Sequence, residues 1–436
     1  RKFFDTIMQN LVVDLLSRGF FMHKMNLKII TTGVLLLTMA ALTACKEEVP
    51  VHPLNLEHKA YEKMIESTIV STGNNYRLKK VIQKMKNGEE VYIAALGGSV
   101  TEGAGPKEFT DGYAYQFFRA LQAKYNVEEG KNLHFNDAGL SGSGSQVGIV
   151  RYQSDVVDFV EHEPDLLIIE FAVNDDGNET TQRCFEALVR AALKNPETAV
   201  IAMYSAATYG NTMGMKKPVA DYYSLPQVNM LDLVNDSIKK KVFTKEQFYS
   251  DYVHPTFEGH EMMKDALMLL VKKAEKGAKD AEIAVPNKLF KAPGFDNFVR
   301  ILGDDENVKI TKGVFSEIDP NCQSLKKTNK SDFPINWKKK NGSKGESFKM
   351  DINCKNMIFI FKVQGSWDKE KFGKAEVYVD GKLFNTYDGG AQGGWNNCEP
   401  RILIDTAKAE NHTVEVKMAA GDEEKGFTIV AMGYSK

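Results

Sequence analysis

The 436-residue chain has little that would advertise a metal, a phosphate or a nucleic acid. It holds only five cysteines, with no C-x-x-C pair and no H-E-x-x-H, so zinc and dithiol chemistry have no motif to stand on. Neither sign of charge is in excess: 56 Lys and Arg against 58 Asp and Glu give a formal net charge of −2, and no basic surface marks nucleic acid or an anionic membrane as a partner. The short cluster Lys338, Lys339 and Lys340 after Trp337 reads as a solvated loop. The glycine-rich stretch AALGGSVTEGAG at 94–105 is not a phosphate loop, because Ala104 and Gly105 stand where a Lys and a Ser or Thr would be needed. Gly97 and Gly98 also lack the G-x-G-x-x-G spacing of a dinucleotide site. Nor is it the G-x-S-x-G elbow, since Thr101 replaces the last glycine. No internal repeat or low-complexity tract is apparent. No cofactor and no metal are expected.

What is there suits a soluble globular protein of two domains, with 43% hydrophobic and 26% charged residues over a length too great for one ordinary core. Residues 1–45 stand apart. Met25-Asn26-Leu27-Lys28 followed by IITTGVLLLTMAALTAC is a basic start, an apolar run and a small-residue cleavage region, which is the pattern of a secretion signal. Leu42-Thr43-Ala44-Cys45 resembles a bacterial lipobox, which implies lipidation of Cys45 and an extracytoplasmic, membrane-anchored protein; an uncleaved anchor is the other reading. Residues 1–24 precede a plausible start at Met25. Of the remaining cysteines, Cys184 lies alone, while one pair among Cys322, Cys354 and Cys398 and free buried thiols both fit the spacing.

From Val91 to Lys276 apolar strand-like runs alternate with helical patterns: VYIAAL, GYAYQFFRALQAKY, LHFND, a helix into VVDFV, LLIIEF, CFEALVRAALK and AVIAMY. Strands apolar throughout, rather than alternating, are those of a parallel sheet covered on both faces. A three-layer α/β/α domain over 46–280 is expected, closing with a helix from about Thr256 to Lys276 and the charged linker KKAEKGAKDAE. Beyond Pro286 the texture changes to short strand signals separated by turns. KAEVYVDGKLFNTY, with Asp380-Gly381 between alternating runs, reads as a tight hairpin. VKMAAGDEEKGFTIVAMGY repeats the pattern, and residues 286–436 are expected to form a smaller all-β sandwich.

Chemistry enters at the strand ends. A serine becomes a nucleophile only beside a base, an orienting carboxylate and oxyanion donors. Ser99 follows VYIAAL; Asp251-Tyr252-Val253-His254 lets one loop hold a carboxylate against the imidazole Nδ1 and leave Nε2 for Ser99. Gly142 follows LHFND and Asn174 follows LLIIEF. Taken singly, these are a turn glycine, an Asx-turn residue and a helix-start loop. In this order, at successive carboxyl ends of parallel strands, they form one site.

The four blocks resemble those of the SGNH, or GDSL-type, hydrolases, with Ser99, Gly142, Asn174 and His254 matching the Ser, Gly, Asn and His of that family over about Val91 to Lys276. Gly98 stands where G-D-S has Asp, and Ala172 where G-x-N-D has Gly. TGNNYRLKKVIQK before the serine strand and EFAVND at the third block look like a bacterial branch of carbohydrate acetylesterases that includes mannan acetylesterases. The resemblance implies an SGNH-like α/β fold and a serine ester hydrolase: Ser99 as nucleophile, His254 as base, Asp251 as its orienter, and the Ser99 and Gly142 backbone N–H groups with the Asn174 amide as oxyanion hole. An acetylated glycan is the implied partner. A lysophospholipase or short-chain lipase on the same scaffold, and an inactive carbohydrate-binding surface protein, are the alternative readings. All three tryptophans, Trp337, Trp367 and Trp395, fall in the β domain. Trp395, in GGAQGGWNNCEP, is the candidate to hold the glycan near the Ser99 cleft, by stacking on a sugar ring.

Overall fold

The first sheet takes its order from where the apolar runs can be covered on both faces. The structure, a computed structural model, describes residues 58–328 and 333–436; the segment expected to be a secretion signal and Cys45 lie outside the described residues. In chain order the first part comprises α1 (His58–Glu66), β1 (Ile69–Ser71), α2 (Tyr76–Asn87), β2 (Val91–Gly97), α3 (Tyr113–Lys124), β3 (Leu133–Gly139), α4 (Ser145–Tyr152), β4 (Leu166–Glu170), α5 (Glu179–Leu193), β5 (Ala199–Tyr204), α6 (Met213–Tyr222), β6 (Gln227–Asn229), α7 (Leu231–Lys239) and α8 (Phe257–Lys276). The strand order is β1-β6-β5-β4-β2-β3, parallel except for β1 at the edge. One helical layer joins α8 to α2 and α3, and the other joins α5 to α4 and α6. All five residues of β4 and all six of β5 are buried, as two-sided coverage requires.

The second part adds β7 (Val299–Arg300), β8 (Val308–Thr311), β9 (Trp337–Lys339), β10 (Phe348–Val363), β11 (Lys374–Val379), β12 (Lys382–Asp388), β13 (Asn397–Met418) and β14 (Phe427–Ser435). They make one antiparallel sheet, β12-β11-β13-β10-β14-β7, with β8 also on β10 and β9 on β14. The β11–β12 hairpin forms as expected, with Asp380 (φ 52°) and Gly381 (φ 75°) supplying the two positive dihedrals of its turn. The last segment does not form a second hairpin: β10 lies between β13 and β14, because pairing follows the long apolar run rather than the nearest turn. The lysine cluster is no solvated loop either. Trp337–Lys339 is strand β9, with Lys339 buried and donating to the Lys425 carbonyl (2.9 Å), and Lys338 paired with Glu370 (2.6 Å).

Strand β10, FKMDINCKNMIFIFKV, shows how the two parts become one body. Phe348, Met350, Ile352 and Cys354 face the β core; after bulges between Cys354 and Asn356 and between Met357 and Ile358 the inward set becomes Met357, Phe359, Phe361 and Val363. A one-residue shift exchanges the faces. The opposite face therefore changes from Lys349, Asp351 and Asn353 to Ile358 and Ile360, which join a core with Val147, Val150, Phe185 and Leu188 of the first part. Arg183 on α5 clamps Asp405 on β13 with two bonds of 2.7 Å each. Ala60–Lys436 is accordingly one compact unit. Cys184, Cys322 and Cys354 are free and buried, Cys398 is buried, and burial pushes the Cys322 thiol up to about 12.

Candidate active site

Ser99 begins a four-residue helical turn, Ser99–Glu102, directly off the end of β2. Its Oγ lies 2.9 Å from His254 Nε2, and His254 Nδ1 lies 2.6 Å from Asp251 Oδ2. The other carboxylate oxygen of Asp251 accepts from the backbone N–H groups of Val253 (2.7 Å) and His254 (2.8 Å), so the loop that carries the imidazole also fixes its carboxylate. Partial burial raises the affinity of Asp251 for a proton, but the His254 backbone N–H, the His254 ring and the Val253 N–H outweigh it and hold the carboxyl below its ordinary range. An ionised acceptor on Nδ1 leaves the Nε2 lone pair directed at the serine hydroxyl.

The backbone N–H groups of Ser99 and Gly142 have no acceptor among the described residues. Asn174 follows β4 in a turn held by its N–H to the Phe171 carbonyl (3.3 Å). Its side-chain Oδ1 is buried against Gly98 without a hydrogen-bond partner, and no described group accepts from its Nδ2. A Cβ at Gly98 would lie 2.1 Å from that Oδ1. The departure from G-D-S thus has a local reason: the Asn174 amide occupies the space a side chain at 98 would need.

Residues outside the four sequence blocks hold this arrangement. Arg151 of α4, fully buried, donates to the carbonyls of Gly97 (3.0 Å) and Ala138 (2.7 Å) at the ends of β2 and β3 and pairs with Asp155 (2.7 Å). Asp175, next to Asn174, accepts from the Ser145 N–H (2.7 Å) at the start of α4 and from buried Lys216 (2.6 Å), locking the Asn174 turn to the Gly142 loop. Ser141 donates to Glu102, while its carbonyl accepts from Gln323 Nε2 (2.8 Å), whose Oε1 takes the Cys398 N–H (2.7 Å) of β13. Buried Arg, Lys and Asp on apolar elements were the available sequence signal for the first two; nothing local announces Gln323. His260, buried on α8, accepts from the Tyr113 N–H at Nδ1 (3.0 Å) and donates from Nε2 to the Ala104 carbonyl (3.0 Å), which fixes its tautomer.

Trp395 lies against the same loop: its indole would meet a Cβ on Gly142 at 2.7 Å, and the ring is 40% exposed. Beside it an open cavity of about 410 Å³ is bounded by Glu102, Ser141, Gln323, Lys326, Trp395 and Asn396. Of the other tryptophans, Trp337 is buried and packs on Phe348, and Trp367 is exposed and folded over Gly365.

Behind the loop, burial raises the Asp137 carboxyl from its ordinary 3.8 to about 7, with Glu102 adding to the rise and the Gly139 N–H, Lys327 and Arg151 opposing it. Between those two pH values the folded chain keeps a proton that the unfolded chain has lost, so the stability present below 3.8 is lost as pH rises toward 7. The loss is on the order of 4 kcal/mol. Asp137→Asn is expected to remove it: melting temperatures from pH 4 to pH 8 should fall for the wild type relative to the variant, and parallel curves would refute the assignment.

The fold and the site define an ester hydrolase domain of the SGNH type, on a parallel α/β sheet followed by an antiparallel β domain. Residues 95–262 match the profile of the GDSL-like Lipase/Acylhydrolase family, and the enzyme class that this match supports is carboxylic ester hydrolase. The chain is similar in fold to a two-domain esterase active on acetylated mannans, with a TM-score of 0.72 and 24% identity over 85% of this chain and 99% of that one. The same figures hold for that esterase co-crystallised with mannopentaose, of which 98% is covered. An acetylxylan esterase from Geobacillus stearothermophilus is similar over 42% of this chain and 95% of its own, at 18% identity and a TM-score of 0.34. No curated protein sequence matches the chain.

Proposed function

We propose that the protein is a serine esterase that removes O-acetyl groups from a mannan-type glycan. The observation that supports it is the continuous chain of contacts from Asp251 through His254 to Ser99, together with three donors unengaged among the described residues. His254 Nε2 takes the Ser99 proton as Oγ bonds to the acetyl carbon, and the carbonyl electron pair moves to an oxygen met by the N–H groups of Ser99 and Gly142 and by Asn174 Nδ2. When the bond to the sugar oxygen breaks, His254 returns the proton to that oxygen. Water then repeats the attack on the acetyl-enzyme, releasing acetate and restoring Ser99. The solved two-domain neighbour acts on acetylated mannans, and the cavity beside Trp395 gives a glycan room next to Gly142. Within this reading Trp395 supports the chain, Cys45 anchors the protein to a membrane outside the cytoplasm, and residues 46–280 and 286–436 are its catalytic and β domains.

Acetate released from acetylated mannan oligosaccharides is the test. Activity should be greatest for acetyl and decline from butyryl to octanoyl esters, and Trp395→Ala should lose about tenfold more kcat/KM on the oligosaccharide than on ethyl acetate. A preference for long acyl chains would instead make this a lipase. Because Ile358 and Ile360 share a core with α4 and α5, truncation at 286 exposes apolar surface and is no substitute for the point variant.

A further inference from the structure

Acyl transfer imposes a direction on the substrate that the residues around Ser99 translate into a place. The carbonyl oxygen turns toward Gly142 and Asn174, whereas the leaving oxygen must face His254 Nε2 to receive its proton. The sugar attached to that oxygen therefore lies over the His254 loop, away from the Gly142 side where Trp395 sits.

Two tyrosines occupy that rim, and neither is hidden. Tyr252, between Asp251 and His254, is 66% exposed, and Tyr209, in the loop after β5, is 61% exposed. Their ring centroids are 6.2 Å apart with planes inclined at 42°, so the pair presents an angled surface rather than a flat stack. The Tyr209 side chain and the Tyr252 backbone are held in place. The Thr208 N–H and Oγ each donate to the Tyr252 carbonyl (2.9 Å), and the Tyr209 hydroxyl donates to the carbonyl of Val173 (2.9 Å), the residue before Asn174. Exposed single aromatics are common, but an aromatic pair tied at both ends to the loops that carry Asn174 and His254 is an exposed apolar surface fixed before any ligand arrives.

We infer that Tyr252 and Tyr209 form a stacking ledge for the pyranose ring that bears the scissile ester, a sugar subsite on the hydrolase domain distinct from Trp395. The C–H face of a pyranose is apolar and its hydroxyls point outward, which suits a surface of ring faces with open edges. Preorganisation means that the Tyr209 side chain and the Tyr252 backbone need no ordering on binding. The inference rests on the glycan reading above.

The test compares kcat/KM for acetylated mannopentaose with kcat/KM for ethyl acetate, which has no ring to stack. In Tyr252→Ala and Tyr209→Ala the ratio should fall about tenfold, mainly through KM, while Tyr252→Phe, which keeps the ring, stays within about twofold of wild type. Equal losses in Tyr252→Phe and Tyr252→Ala, or an unchanged ratio in Ala variants whose melting temperatures match wild type, would overturn the ledge alone. Wild-type protein that hydrolyses ethyl acetate but neither acetylated mannopentaose nor an acetylated xylo-oligosaccharide would overturn the glycan reading, and the ledge with it.

Discussion

Ser99→Ala should lower kcat for ester hydrolysis by about 10⁴-fold or more while leaving the fold intact. The size follows from the loss of the covalent route: without Oγ, His254 has no proton to take, and the donors around the oxyanion can only assist a direct attack by water. The fold should survive because among the described residues the hydroxyl bonds only to His254 Nε2, and the turn Ser99–Glu102 is held by the Glu102 N–H on the Gly98 carbonyl (3.0 Å) and by Gly97 and Ala138 on Arg151. Acetate release under saturating substrate, with melting curves in parallel, decides it. Near-wild-type turnover by a folded variant would mean that Ser99 is not the nucleophile.

Asn174→Ala is expected to cost about 10²–10³ in kcat with little change in KM, since an oxyanion donor acts on charge that develops only in the transition state. The neighbouring glycine gives this prediction a second arm. A methyl at position 98 would stand 2.1 Å from Asn174 Oδ1, and this short side chain can yield only by turning its amide away from the site. Gly98→Ala should therefore lower kcat in the wild type and cost little more in an Asn174→Ala background, a non-additivity that a double-mutant cycle measures. Losses confined to KM would make Asn174 a substrate-positioning group, and additive losses would place the two residues in separate roles.

These residues were legible because each sits at a boundary that local pattern marks. β2, β3 and β4 are runs of buried apolar residues, and Ser99, Gly142 and Asn174 come just past their ends; Asp251 and His254 are three apart on one loop, so short-range geometry alone brings them together. The Asp380-Gly381 turn was legible for the same reason, since two positive φ values in succession belong to very few residue pairs. The helix ending at Lys276 likewise carries its signal locally, with Thr256 accepting from the Gly259 N–H (3.1 Å) at its start.

Contacts between distant segments were decided by the tertiary structure alone. A glycine-rich loop marks Trp395 in the sequence, but that Trp337 is core, Trp367 folds over its own glycine and Trp395 meets Gly142 was decided by packing, because only the seating of the β domain on α4 and α5 brings the 395 loop there. The place of β10 between β13 and β14 likewise depends on sixteen residues finding partners on both sides, while a turn constrains only its immediate neighbours. Arg151 under the ends of β2 and β3, Asp175 between Ser145 and Lys216, and Gln323 between Ser141 and Cys398 are buried polar groups whose partners satisfy them across the fold. By itself the sequence determined that Ser99, Gly142 and Asn174 follow strand ends and that Asp251 and His254 share a loop, since backbone propensity and hydrophobic period act over a few residues. The tertiary structure decided how those groups are braced and what surrounds them, because burial is settled only when the whole chain has packed.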